Sequence, residues 1–342
     1  MFVIPKSKVT IGKVSFHGIN SGINAIEIFQ SVKELSSTAK ITIPLNYKSK
    51  ENKGVLDYIK VGDKTSIALG YNDSINTEFT GYVTSISATT PLVIEVDDDW
   101  YLFKKTKQIN KSWKKTTLKE VLTFCFKGYT IDCPNIDLTG GFIINNTTPY
   151  EAIKGLKESY GFFTKLDEKN KKIRCFWGYD FDGFSKHTYV FGTRDADKLK
   201  SLFQRGLSPN VAKSNLTFTK EDDIKLHITA KAKQRTGKEI KVTIGSKDNN
   251  ATKRTLTFGS EITTEKALKE KAEQELKRLS FNGYRGTIIG YGHPQTQAGD
   301  NILIVDVDNK EREGEYLIES VKIEYSVSNG FRRTNTLSYK IR

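Results

Sequence analysis

The chain has 342 residues, of which 37% are hydrophobic, 27% are charged and 11% are aromatic, and its formal net charge is +14. This length allows two to four compact domains with a substantial core, and the apolar content excludes a disordered chain. No run approaches the roughly 20 apolar residues of a membrane-spanning helix, and the first residues lack the pattern of a signal peptide. We therefore expect no membrane-spanning segment and folding in a cytoplasm.

The cysteine content and the charge narrow the possible chemistry. Cys125, Cys133 and Cys175 occur without a CxxC pair, which argues against a disulfide framework and against a structural zinc site. The basic excess raises affinity for nucleic acid and other anionic surfaces, but it does not locate a binding site.

The first hundred residues are dominated by strand signals. Apolar and polar side chains alternate in short segments that polar turns separate, as in 38–45, 64–71 and 79–86. Several short strands divided by turns are typical of a small antiparallel barrel. We assign residues 1–104 to an N-terminal β-barrel domain.

The middle of the chain changes to a helical pattern. Thr117 with Glu120, and Thr148 with Glu151, form two capping boxes, in which the threonine accepts from the first turn and the glutamate reaches back. Apolar residues follow each box at helical spacing, and a strand hairpin is predicted after Gly161. Residues 105–200 are therefore predicted to form an α+β insert domain.

The last third returns to strand patterns. Apolar and basic residues alternate on both sides of a polar turn, which predicts a long hairpin over 221–246 with one apolar and one basic face. One helix is predicted over 264–279, and barrel-like segments follow it. We assign 201–342 to a C-terminal β-barrel domain. The predicted fold class is thus mainly β (α+β), with two small antiparallel β-barrels flanking the insert.

Two distant stretches echo each other. Each begins with a Gly-Asp pair at a turn, continues with a strand and a loop, and enters a second strand near a glycine. A Gly-Asp turn suits backbone angles that other residues resist, so the echo predicts two related barrels. The positions concerned are Gly62, Asp63, Gly81, Gly299, Asp300 and Gly314.

Several motifs, none specific alone, acquire weight from their order and spacing along nearly the whole chain. They are Val61-Gly62-Asp63, Leu69-Gly70-Tyr71, Phe79-Thr80-Gly81-Tyr82-Val83, the run from Glu95 to Lys104, Tyr160-Gly161-Phe162-Phe163, Ala298-Gly299-Asp300, the run from Gly314 to Val321, and Ser328-Asn329-Gly330-Phe331. In this order they resemble the baseplate hub proteins of contractile phage tails, the late control gene D family, and the related hub portion of type VI secretion spike proteins.

The resemblance implies a homotrimeric structural hub that performs no catalysis. In such hubs two barrels per subunit give a pseudo-sixfold ring, which adapts a sixfold tail tube to a threefold spike around a central passage for DNA or tape-measure protein. Since the chain ends soon after its last barrel, the implied partners are a separate trimeric spike protein, the tail tube protein and other baseplate proteins. The protein would be made in the bacterial cytoplasm and assembled into a virion tail or a prophage-derived particle. A tailocin or a type VI-like injection system is the alternative particle.

The sequence contains no clear signature of catalysis, cofactor binding or metal binding. The four histidines are far apart and outside HExxH spacing, and no GxxxxGK[ST] motif occurs. Asp97, Asp98 and Asp99 cannot easily converge on a metal, because neighbouring strand residues point to opposite faces; we interpret them as a strand-ending turn. A cell-wall hydrolase is a further hypothesis, for which no acid–nucleophile pair stands out. We expect a chain that is not an enzyme and has no cofactor or metal.

The basic residues of the predicted hairpin are candidates for contact with a partner subunit or with DNA in the passage. They are Lys225, His227, Lys231, Lys233, Arg235, Lys238 and Lys241. A nucleic-acid-binding barrel protein is the alternative function, but it would need aromatic stacking residues among the basic ones, and 224–244 contains none. A passage that releases DNA should not bind it tightly, so we favour protein neighbours.

Overall fold

The computed structural model describes residues 4–17, 22–44, 54–72, 74–87, 89–138, 141–177, 181, 183–233, 238–258, 262–326 and 328–341. Strands predominate over helices in these ranges, and helices concentrate in the middle of the chain. The predicted mainly β class with an α+β insert is therefore confirmed.

Seven strands form the first β region. They are β1 (Pro5–Ile11), β2 (Val14–His17), β3 (Ala25–Ser31), β4 (Thr38–Ile43), β5 (Lys64–Tyr71), β6 (Ser74–Ser87) and β7 (Leu92–Asp97). The period of two explains their burial: in β4, Ala39, Ile41 and Ile43 point into the core while the residues between them face outward.

The insert combines short strands with three helices. Its elements are α1 (Trp100–Lys105), β8 (Ile109–Trp113), α2 (Leu118–Cys125), β9 (Thr130–Asp132), β10 (Phe142–Thr147), α3 (Pro149–Tyr160), β11 (Phe162–Asp167) and β12 (Lys172–Trp177). Both capping boxes are confirmed, at Thr117 and at Thr148. Gly161 ends α3 with a φ of 73°, a conformation that favours glycine. Helix α1 was not predicted; it follows directly on the acidic turn.

The last region contains the remaining strands and two helices. They are β13 (Lys186–Val190), α4 (Ala196–Gln204), β14 (Val211–Thr219), β15 (Leu226–Lys233), β16 (Glu239–Gly245), β17 (Thr252–Phe258), α5 (Glu265–Leu279), β18 (Gly283–Gly290), β19 (Asn301–Val305), β20 (Gly314–Ser326) and β21 (Gly330–Lys340). The predicted hairpin is confirmed as β15 and β16, and the predicted helix as α5, capped by Thr264. An unpredicted strand, β17, pairs in parallel with β15 and completes a three-stranded sheet.

One open sheet joins the first and last regions. Its strand order is β14-β18-β21-β20-β3-β4-β7-β6-β5-β1-β2, with β19 attached to β20 and β13 attached to β19. Strand β20 is 13 residues long, so it can pair with β19 near its start and with β3 near its end. Among the pairings of the described residues, no ladder closes either region into a separate barrel, so the two antiparallel units that the sequence predicts are parts of a single sheet.

Four clusters of buried side chains hold the described elements together, the smallest of them formed by Val190, Leu202 and Val305. The largest is shared by both β regions and runs from Val9 to Tyr339. A second lies within the insert around α2 and α3, and a smaller one lies between α5 and the three-stranded sheet. Because the main core is common to both β regions, their packing against each other is part of the fold. The domain limits 1–104, 105–200 and 201–342 stay predictions.

Candidate assembly site

Gly62 and Asp63 form the turn that leads into β5. Gly62 has a φ of 94°, in the region that favours glycine. Its N–H donates to the Val83 carbonyl at 2.8 Å, and the Asp63 carbonyl accepts from the Val83 N–H at 3.0 Å. The Asp63 carboxylate accepts from the Lys60 N–H at 2.8 Å. Two backbone hydrogen bonds therefore fix this turn against β6, and the carboxylate bond closes the turn itself.

Gly299 and Asp300 form an equivalent turn before β19. Gly299 has a φ of 90°. Its N–H donates to the Ile318 carbonyl at 2.9 Å, and the Asp300 carbonyl accepts from the Ile318 N–H at 2.8 Å. The Asp300 carboxylate accepts from the Gln297 N–H at 2.8 Å. The two Gly-Asp turns thus share their backbone conformation and these three hydrogen bonds.

The strand order extends this likeness to both β regions. Neighbouring strands run β1-β5-β6-β7-β4-β3 in the first and β13-β19-β20-β21-β18-β14 in the second, so the two orders match position for position. They differ at the first pair, which is antiparallel between β1 and β5 but parallel between β13 and β19. The three-stranded sheet and α5 are inserted between β14 and β18, where the first region has a short turn. We call the two matching regions the first and second repeat.

A β-bulge occurs at the same place in both repeats. In β6 the pairing with β7 shifts between Val83 and Ser85, and in β20 the pairing with β21 shifts between Ile318 and Ser320. Each bulge follows the residue that bonds to the Gly-Asp turn. Because a bulge changes strand direction and twist, its recurrence shows that the repeats agree in local shape as well as in order.

The same alignment corrects one sequence prediction. The sequence pairs Gly81 with Gly314, but counting back from the bulges places Gly81 opposite Tyr316. A Cβ atom at Gly81 would lie 2.0 Å from the Asp97 carbonyl oxygen, so close backbone approach explains this glycine. Gly81 and Gly314 are not equivalent because the segment from the Gly-Asp turn to the strand residue that bonds to this turn is shorter in the second repeat than in the first.

A buried ion pair links the repeats. The Arg333 guanidinium on β21 lies 2.6 Å from the Glu78 carboxylate on β6, and neither side chain is more than 2% exposed. Arg333 also donates to the carbonyls of Gly292 at 3.0 Å and Thr296 at 2.8 Å. A buried charge is strongly destabilising without its partner, so this contact holds β6 and β21 in one relative position.

Two basic residues of the hairpin are neutralised by carboxylates within the chain. Lys225 lies 2.6 Å from Asp248, and this hydrogen bond raises the pKa of the lysine. Lys231 lies 3.7 Å from Glu239. Lys231 and Glu239 also line a groove of about 730 Å³ between the three-stranded sheet and the insert, where Ile143 is 69% exposed.

The other hairpin candidates do not converge on one point. His227 Nδ1 lies 3.1 Å from the Ser246 carbonyl oxygen, while Lys238 and Lys241 are exposed. The side chain of Lys233 and the whole of Arg235 lie outside the described residues. Contact of this surface with DNA or with a partner therefore stays a prediction.

The titratable groups fit structural roles. Burial raises the pKa of Cys125 to about 12 and that of Cys133 to about 11, so these thiols stay protonated and are poor nucleophiles. Asp98 accepts hydrogen bonds from the Ser36 hydroxyl at 2.8 Å and the Ser37 N–H at 2.7 Å, as befits a strand-ending turn. Within the described ranges, no three side chains of metal-binding type cluster, and no helix has the length and apolarity to span a membrane.

Comparison with solved structures identifies proteins of the same fold. A tail protein from Neisseria meningitidis is 13% identical over 99% of this chain and 97% of its own, with a TM-score of 0.60. A 43 kDa tail protein of prophage MuSo2 from Shewanella oneidensis is 16% identical over 97% of both chains, with a TM-score of 0.58. A type VI secretion component from E. coli, described as similar to phage T4 tail proteins, is 10% identical over 97% of this chain and 76% of its own, with a TM-score of 0.53.

Comparisons at the level of sequence find less. No family model matches the chain, and no curated protein is significantly similar to it. The structural matches cover almost every residue of this chain, so the resemblance predicted from the sequence is confirmed for the fold. Along nearly its whole length, the chain has the fold of these tail and type VI secretion proteins.

Proposed function

We propose that this protein is a structural hub of a phage tail baseplate and works as a homotrimer. The observation that carries the proposal is the internal repeat within a fold shared end to end with tail proteins. A chain with two similar units supplies six similar units when three copies assemble. Such a ring presents approximate sixfold symmetry to a tail tube and exact threefold symmetry to a spike.

We propose the partners that the resemblance to baseplate hub proteins implies. They are a separate trimeric spike protein, the tail tube protein and other baseplate proteins, arranged around a passage for DNA or tape-measure protein. The insert and the three-stranded sheet interrupt or join the repeats without altering their strand order, so they are free to contact neighbouring baseplate proteins. The type VI match favours one alternative of the same class, a hub of a related contractile injection system.

The described residues support a role in assembly, not a role in catalysis. The protonated thiols, the Asp98 turn and the paired lysines all act within the fold. The protein would accordingly be found in an assembled virion tail or a prophage-derived particle.

The absolute mass of the purified protein tests the proposal. Light scattering over a range of concentrations and salt should give three times the 38.6 kDa of one chain. The measurement is then repeated in the presence of the spike protein, because a spike can promote assembly of its hub. A mass of one chain in both measurements would contradict the proposal.

A further inference from the structure

The two repeats meet at an edge-to-edge strand junction inside the chain. Strand β3 of the first repeat pairs with the C-terminal half of β20 in the second, from Ser31 opposite Ser320 to Ala25 opposite Ser326. In the repeat alignment, β3 corresponds to β14 and β20 corresponds to β6. The counterpart of this junction would therefore join β14 to β6, and within one chain these strands lie at distant places in the sheet.

Both counterpart edges are open in the described structure. Strand β14 pairs with β18 on one side and with no described strand on the other. The ladder between β5 and β6 ends at Tyr82, so Ser85, Ile86 and Ser87 pair with β7 alone. The first repeat thus has an open edge at the end of β6, and the second repeat has an open edge at β14. Their counterparts, β20 and β3, are paired with each other inside the chain.

The β14 edge lacks the features that protect edge strands from association. Natural edges are short, interrupted by proline or rich in charge. Strand β14 has nine residues, contains no proline and carries Lys213 as its single charged residue. Phe218 on this strand is 42% exposed, although its ring centroid lies 5.2 Å from that of Tyr284. A long, nearly uncharged edge with an exposed aromatic ring is a template for strand pairing.

The register of the missing junction can be read from the two repeats. Ser85 and Ser320 are the equivalent residues at the two bulges. From each of them, the residues that pair directly across four neighbouring strands can be listed. They are Ser85-Glu95-Lys40-Glu27 in the first repeat and Ser320-Thr336-Thr287-Asn215 in the second. Asn215 thus corresponds to Glu27, and Thr217 two residues later corresponds to Phe29. Inside the chain Phe29 lies opposite Lys322, whose counterpart is Ser87.

We infer that β14 of one copy pairs antiparallel with the end of β6 of a second copy, with Thr217 opposite Ser87 and Phe218 opposite Ile86. The inference rests on the proposed assembly, for which it names the strand contact between subunits. The β6–β7 hairpin is shorter than the β20–β21 hairpin, so this junction has fewer pairs than the internal one. Phe218 would be covered by Ile86, which is only partly buried in a single copy.

Disulfide trapping tests the register. In a Cys133→Ser background, since Cys133 is the native cysteine that is not fully buried, Ser87→Cys with Thr217→Cys should give chains cross-linked into trimers on mild oxidation. Ser87→Cys with Asn215→Cys is two residues out of register and should cross-link far less. An equal yield from the two pairs would overturn the inference.

The chain offers an internal control for the same geometry. Phe29→Cys with Lys322→Cys occupies the equivalent positions within one chain and should form an intrachain disulfide without change in mass. The informative case is a preparation whose mass is trimeric. If the internal pair cross-links there but Ser87→Cys with Thr217→Cys does not, the inferred register is wrong and the proposed hub still stands. A mass of one chain with and without the spike would contradict the hub itself.

A second variant gives a result that does not depend on disulfide geometry. Phe218→Lys places a charge on the open edge, and the concentration at the midpoint of assembly should rise by about tenfold or more. Phe203→Lys is the matched control, because Phe203 on α4 is 54% exposed and belongs to neither edge strand. Unchanged assembly of Phe218→Lys would overturn the inference.

Discussion

Gly62 and Gly299 are equivalent residues in different surroundings. Both have a φ near 90°, and both donate a hydrogen bond to the second strand after their turn, which is β6 for Gly62 and β20 for Gly299. A Cβ atom at Gly62 would lie 3.5 Å from the Tyr101 hydroxyl, an ordinary contact, whereas at Gly299 it would lie 2.7 Å from the Phe184 ring. Both positions require a glycine for its backbone conformation, and they differ in how closely neighbouring side chains approach.

We therefore expect the two alanine substitutions to be destabilising to different degrees. Gly62→Ala should lower the free energy of unfolding by about 1 kcal/mol, the cost of the left-handed conformation for a residue with a Cβ atom. Gly299→Ala should lower it further because the Phe184 ring must move. Urea unfolding of both variants measures the difference, and equal losses would show that the ring adapts without cost.

The buried pair of Arg333 and Glu78 gives a second prediction at this scale. Arg333→Ala leaves the Glu78 carboxylate buried without its partner and should lower the free energy of unfolding by about 3–5 kcal/mol. Replacing both residues, as Arg333→Met with Glu78→Leu, should restore much of the loss. A double variant no more stable than Arg333→Ala would mean that the contacts to Gly292 and Thr296 carry the stability.

At the scale of elements, Asp98 connects the β3–β4 turn to the start of α1. Its carboxylate accepts from the Ser36 hydroxyl, the Ser37 N–H and the Trp100 N–H. Burial raises the pKa of Asp98 to about 6 from an ordinary value of 3.8, against the opposing effect of these hydrogen bonds. This carboxyl therefore joins the first repeat to the insert and titrates in an unusual range.

The pH dependence of stability follows from the direction of this shift. Because the folded state binds the proton more tightly than the unfolded state, the contribution of Asp98 to the free energy of unfolding falls as pH rises from about 4 to about 6. Asp98→Asn does not titrate at this position. The stability of the natural protein relative to this variant should decrease over that range in urea melts. A constant or increasing difference would contradict the raised pKa.

Elements with strong local signals were the ones that the sequence could predict. The capping boxes at Thr117 and Thr148 and the Gly-Asp turns depend on residues close together in the chain. Helix α1 has six residues, too few for a clear helical period, and β17 exposes four of its seven residues, so it lacks an alternating pattern. The pairing of β3 with β20 joins residues about 290 positions apart in the sequence, and no local pattern encodes such a contact.

The whole molecule is organised by the repeat. Two regions with one strand order share a core, a buried ion pair and a strand junction, and in the described structure each leaves open an edge whose counterpart in the other repeat is paired. The sequence showed the repeat through its Gly-Asp turns, but the alignment of Gly81 and the open β14 edge required the strand pairing. The groove beside Ile143 was also missed, since its walls come from elements far apart in the chain.

Electron microscopy of the assembled protein tests the central claim most directly. Class averages viewed along the symmetry axis should show a ring around a central hole, with threefold symmetry overall and six similar units at the inner wall. Labelling the insert should add three densities, one per chain. Single chains, or closed rings with a symmetry other than threefold, in samples with and without the spike protein would contradict the account.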